Sequence, residues 1–412
     1  MLQTKITTFR AFRNRNYALF FVGQSVSQIG TWMQRTAISW VVYSLSHSAL
    51  MLGLCVFAQQ FPSFVLSLFG GIVADRYSRY KILLITQTAS MVQAILLALT
   101  VIYTPFHIWE ILALSVVLGI INAFDVPARQ PMVHEMIENK ADIPNALALN
   151  ATMVNLARLI GPAISGIILQ NLGSGICFGL NALSFIAVLS SLLLMRLPKF
   201  SPPLVKKKVV LELKEGFIYV KSHPVIGLLI VMLTLLSLFV LPYDTVIPIF
   251  AKNIFKGNAE TFGYINSFIG LGAIVASLFL ASIKKETSLI SVLLISIGIL
   301  ALALIGFALT PYFYWAMPLA ILIGFGSMTP MTASITIIQM EAANTMKGRV
   351  MSYVALSYFG MLPLGGLLIG AVTQRTSAPL TLLGEGVVGL IIMFLFYFLF
   401  KNKLSEKSTE KP

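Results

Sequence analysis

Twelve membrane-spanning helices in two pseudo-symmetric six-helix bundles are the all-α fold class that this 412-residue sequence predicts. Three observations predict it. The composition is 57% hydrophobic and 11% charged, whereas an average globular chain is about 25% charged. So few charges cannot cover a soluble surface, and soluble enzyme classes are excluded. Each bilayer crossing takes about 20 apolar residues, and the chain carries twelve runs of that size. Finally, one long polar stretch divides the runs into six and six.

In chain order, residues 1–16 are basic and lead into the first run with no small-residue cleavage site, so they are read as a retained cytoplasmic end. Apolar runs follow at 17–45, 49–74, 82–104, 108–131, 145–172 and 176–197, which form a first bundle over 17–197. The stretch 198–224 holds Lys206, Lys207 and Lys208 and then an amphipathic segment from Val209 to Ser222, expected to lie on lipid headgroups. Runs at 225–251, 262–283, 288–310, 312–340, 350–373 and 380–400 form a second bundle over 225–400, and 401–412 is a cytoplasmic tail. Every run must satisfy its backbone internally, and the period-two pattern of a barrel is absent, so each run is a helix. We number them spans one to twelve.

The net charge of +14 is a topology signal. With both termini inside, twenty-four of the 29 Lys and Arg residues fall on the cytoplasmic side and three on the other, Lys252, Lys256 and Arg375. The basic residues are not clustered with aromatics, so no nucleic-acid partner is expected. Cys55 and Cys177 lie inside apolar runs and define neither a disulfide frame nor a metal site. No Gly-x-x-x-x-Gly-Lys-Ser/Thr sequence occurs, so no nucleotide motor is encoded.

The sharpest local motif follows span two: Gly71-Ile72-Val73-Ala74-Asp75-Arg76-Tyr77-Ser78-Arg79-Tyr80-Lys81. It resembles the loop signature of the major facilitator superfamily, Gly-x-x-x-Asp-Arg-x-Gly-Arg-Arg/Lys, with Ser78 where the pattern has Gly. Gly30 to Arg35, Asn122 to Gln130, Asn155 to Pro162 and Gly348 to Ser352 resemble that superfamily's enterobactin-exporter-like, drug:proton antiporter branch. The resemblance covers essentially the whole chain. It implies a cytoplasmic gate at Gly71, Asp75, Arg76, Arg79, Asp125 and Arg129, with an Asp75–Arg79–Asp125 chain and Asp75 placed against the start of span eleven. The competing reading makes Arg76, Arg79 and Lys81 plain inside-positive anchors.

Gly161, Pro162 and Gly166 on span five resemble the antiporter motif Gly-Pro-x-x-Gly-Gly, with Ser165 replacing one Gly. The resemblance tilts the direction towards export, and ordinary small-residue packing is the alternative. Relatives that export drugs often carry an Arg in span four; here 114–119 reads LSVVLG and holds none.

Ionisable groups within spans are functional candidates by default because they are costly there. Arg158 lies near the middle of span five and Arg35 past the middle of span one. With Trp32, Gln34 and Asn155 they are candidates for binding an anionic, amphipathic substrate between the bundles. Arg158 has Asp125 or backbone carbonyls as alternative partners, and Arg35 has Asp244. Asp244 and Asp125 are the candidate proton-coupling acids, while Glu110, Glu341 and Glu385 are read as interfacial anchors.

The function expected is export of a siderophore or drug-like compound by alternating access, driven by proton antiport. No cofactor is expected beyond the proton gradient. The partners are the small-molecule substrate, protons and membrane lipid; the chain is read as a monomer of the bacterial inner membrane. Uptake of a metal chelate, lysophospholipid flipping and a non-transporting receptor are the rival readings.

Overall fold

The computed structural model describes residues 7–103, 107–197, 209–283 and 288–409. The described residues are almost wholly helical and contain no strand. Eleven of their helices are long and apolar enough to cross a membrane: Ala49–Arg76, Arg79–Tyr103, Ile108–Glu135, Lys140–Asn171, Ser174–Leu194, Pro224–Ile254, Ala259–Ser282, Leu289–Leu309, Phe313–Glu341, Lys347–Arg375 and Ala378–Asn402. These are spans two to twelve. Span one, Arg15–Ser46, has 32 residues and therefore the length, but Gln24, Ser27, Gln28, Gln34 and Arg35 make it more polar than the rest.

The helices divide into two compact units, Met1–Leu45 with Ala58–Leu204, and Ser46–Phe57 with Val205–Pro412. Helices in lipid gain little from burying apolar surface against each other, so close backbone approach at small residues supplies the packing. In the first unit a Cβ on Gly70 of span two would run into the Ala123 carbonyl oxygen of span four. In the second unit spans eight and ten meet reciprocally: a Cβ on Gly272 would strike the Ile321 carbonyl, and one on Gly324 the Ile269 carbonyl.

Two spans of the second unit are discontinuous. Span seven is α-helical over Pro224–Phe239, passes through a 3-10 turn at Leu241–Thr245 and ends in a π turn at Phe250–Ile254. Pro242 and Pro248 each lack the N–H that a continuous helix needs there. Span eleven breaks into a π turn at Leu356–Gly360 before resuming at Met361. The two breaks interlock, since a Cβ on Gly365 would lie 2.5 Å from Pro242 and 2.6 Å from the Leu238 carbonyl oxygen.

The amphipathic linker segment is a helix over Val209–Ser222. One side of it is held by protein: Glu215 pairs with Arg349 at 2.7 Å, and the Ala343 amide donates to the Tyr219 hydroxyl at 3.0 Å. Phe217 and Ile218 are exposed. The Lys206–Lys208 run lies outside the described residues.

Candidate functional site

Spans one and five cross where span five has no side chain. A Cβ on Gly161 would fall 2.6 Å from Trp32 Cβ and 3.0 Å from the Ile29 carbonyl oxygen. One turn further, the Ser165 hydroxyl donates to the Met33 carbonyl at 3.0 Å. Of the motif, Gly161 therefore packs span five onto span one, with Ser165 as an added tie, while Pro162 and Gly166 are buried.

That crossing brings three of the expected substrate residues together. The guanidinium carbon of Arg35 lies 5.2 Å from the Trp32 ring centroid, and that of Arg158 lies 5.6 Å from it. Both distances are within cation–π range. All three side chains are partly exposed. Arg158 makes no hydrogen bond or ion pair among the described residues. The expectation that Asp125 holds it is corrected, because the Asp125 carboxylate is fully engaged elsewhere. Asn155 lies one turn before Arg158 on the same helix and is partly exposed.

Gln34 does not join this group. It is buried, donates to Gln93 Oε1 at 3.1 Å and accepts from the Asn181 amide at 2.8 Å. Gln93 in turn donates to the Leu114 carbonyl at 3.1 Å. This amide chain ties spans one, three, four and six, so the substrate role expected of Gln34 is replaced by a structural one. Sequence gives the residue type but not the face, and every third or fourth position of span one is buried here.

At the other candidate locus, Arg79 Nη1 bonds Glu135 at 2.5 Å and Nη2 lies 3.7 Å from Asp75. Asp125 accepts from Thr86 Oγ1 at 2.8 Å and from Gln87 Nε2 at 2.7 Å, and pairs with Arg129 Nε at 3.3 Å. The expected Asp75–Arg79–Asp125 chain is thus two clusters, because Glu135, one helical turn and more beyond Arg129, reaches Arg79 first. Sequence reasoning missed Glu135, although it lies at the end of span four where span three begins. Gly71 faces open space and Arg76 is exposed; the tightly packed glycine is Gly70.

In the second unit Asp244 is partly exposed within the break of span seven. Glu385 departs furthest from expectation. The interfacial anchor read from its position near the start of span twelve is in fact 2% exposed, with neither carboxyl oxygen hydrogen-bonded. Its neighbour Gly386, which packs against span nine, carried the signal, since small residues mark positions where helices come close. Among the described residues no cluster of His, Cys, Asp and Glu fits a metal ion.

Comparison with known proteins agrees with this architecture. Residues 6–411 match the family described as transmembrane secretion effector. The staphyloferrin A transporter of Staphylococcus aureus is 27% identical over 398 residues, covering 94% of this chain and 98% of that protein. The enterobactin exporter EntS of Citrobacter koseri is 27% identical over 387 residues, covering 91% of this chain and 90% of that protein. Among solved structures, a POT family transporter in complex with 5-aminolevulinic acid aligns with a TM-score of 0.75 at 16% identity, covering 93% of this chain and 96% of that one.

Proposed function

The chain belongs to the transmembrane secretion effector family of major facilitator transporters, and from that premise we propose that it exports an anionic, amphipathic chelator of the siderophore type. It is a multi-pass membrane transporter and not an enzyme. The observation that carries the substrate reading is Arg158, a guanidinium in the middle of a span whose contact is the Trp32 ring rather than a carboxylate. A permanent cation held in a membrane without an acidic partner is costly. An anionic ligand offsets that cost, and the fork of an Arg binds carboxylate or catecholate oxygens bidentately. Trp32 adds a flat apolar surface for the ligand's ring or alkyl portion.

The relatives named above as a staphyloferrin A transporter and an enterobactin exporter support the siderophore class, and the name of the second supports the outward direction. The energy source in this reading is proton antiport by alternating access, with both termini cytoplasmic and Asp75, Arg79 and Glu135 as part of the cytoplasmic gate. A drug-like anion is the second substrate class it accommodates.

The test is flux in proteoliposomes under an imposed pH gradient, with radiolabelled staphyloferrin A, enterobactin and a lipophilic cationic dye as probes. The reading expects gradient-driven movement of an anionic chelator and none of the cationic dye. Transport of the dye alone, or flux indifferent to the gradient, overturns the substrate class or the coupling respectively.

A further inference from the structure

Glu385 is an acid that the fold of the second unit does not use. It lies on the buried stripe of span twelve that also carries Ala378, Leu382, Gly386 and Gly389. Gly386 rests on span nine, where an added Cβ would lie 2.6 Å from Ile305 Cγ1 and 2.8 Å from the Ala301 carbonyl oxygen. Gly389, one turn on, would meet Ala301 at 3.0 Å and Val240 of span seven at 3.5 Å. The glutamate side chain is thus enclosed within the bundle rather than turned to headgroups. Seven residues separate it from Ala378, which places it about 10 Å along the helix from that end.

None of its neighbours supplies a partner. Span nine has no titratable side chain over Leu289–Leu309, span seven has none over Pro224–Phe239, and span eleven has none from Met361 to Gln374. The ionisable groups of the elements packed against span twelve are Tyr243, Asp244 and Lys252 on span seven and Lys347, Arg349, Tyr353, Tyr358 and Arg375 on span eleven. None of them bonds to either oxygen of Glu385. The Tyr243 hydroxyl donates to Ser327 instead, and Arg349 is paired with Glu215.

An ionised carboxylate in such surroundings pays its full desolvation cost with no partner to offset it. Even the neutral acid leaves a donor and acceptors unpaired there. By contrast Asp125, with three donors around it, is fixed in place.

We propose that Glu385 is the proton-carrying residue of the transport cycle, buried and protonated in the conformation seen here and releasing its proton when a rearrangement of span twelve against spans seven and nine admits water. The carboxyl O–H bond breaks towards water on the cytoplasmic side, and the carboxylate takes a proton from water on the other side. This rests on the proton-antiport reading above and names the group that performs it.

The experiment compares wild type, Glu385→Gln and Glu385→Asp. Infrared spectra of the purified proteins in nanodiscs test the first half without any ligand. A protonated-carboxyl stretch present in wild type and missing from Glu385→Gln is expected; its absence from wild type overturns the proposal. Proteoliposomes loaded with radiolabelled staphyloferrin A or enterobactin test the second half. Counterflow at equal pH needs no net proton movement, so Glu385→Gln keeps it while losing gradient-driven flux and the accompanying proton uptake, and Glu385→Asp restores part of both. Gradient-driven flux in Glu385→Gln equal to wild type overturns the proposal and leaves antiport standing. Counterflow without any gradient response in wild type sinks the antiport reading itself. Loss of counterflow together with gradient-driven flux in Glu385→Gln, with Glu385→Asp equally inactive, makes the residue structural and also overturns it.

Discussion

A single aromatic ring organises the charges of the first unit. Trp32 is held by the backbone approach at Gly161 and has Arg35 and Arg158 within 5.2 and 5.6 Å of its centroid. A charge-assisted hydrogen bond contributes about 1.5–3 kcal/mol, and 1.4 kcal/mol is about tenfold in affinity. Arg158→Ala is therefore expected to weaken binding of an anionic chelator by about tenfold to a hundredfold. Arg158→Lys keeps the charge but loses the planar fork, and falls between the two. Scintillation proximity binding to purified protein reads the series. Equal affinity across it would remove Arg158 from the site. What the sequence told at this scale was residue type. It picked out Arg35 and Arg158 because a charge inside an apolar run is visible without coordinates, and Trp32 as an aromatic beside one of them. It misplaced Gln34 and Glu385 because which face of a helix is buried depends on neighbours distant in sequence, and the spans are apolar on nearly every side.

At the scale of elements, the packing rests on glycines whose importance is set by what lies opposite them. Gly161 has Trp32 and the span-one backbone against it, while Gly179 of span six faces open space. Gly161→Ala is expected to force spans one and five apart, cost about 1–3 kcal/mol as other overpacked positions do, and lower both the melting temperature in detergent and ligand affinity. Gly179→Ala is the matched control and should leave both unchanged. Identical melting curves for the two variants would mean that the crossing yields without strain. The helical runs themselves were legible from hydropathy to within a few residues at most ends, since a membrane leaves the backbone no other option. The breaks in spans seven and eleven were less so. Pro242 and Pro363 signal a weak point, but the π turn at Leu356–Gly360 is settled by the packing of Gly365 into the break of span seven.

For the whole molecule, orientation is the property that charge dictates most directly and that converts a pair of bundles into a carrier with a direction. Basic residues resist translocation, so an excess of them on one side fixes that side as cytoplasmic. With the termini counted, twenty-four basic residues stand on one side against three on the other, an eightfold excess far beyond what one or two substitutions reverse. His107, between spans three and four, and Lys140, the first residue of span five, are both exposed and flank opposite ends of span four. Cys55 and Cys177 are buried, so an introduced cysteine is the site that a membrane-impermeant maleimide reaches. His107→Cys is expected to label in intact cells, and Lys140→Cys only after the membrane is permeabilised. The reverse pattern would place both termini outside, turn the direction of the proposed export around, and make the Asp75, Arg79 and Glu135 cluster an outer rather than a cytoplasmic gate.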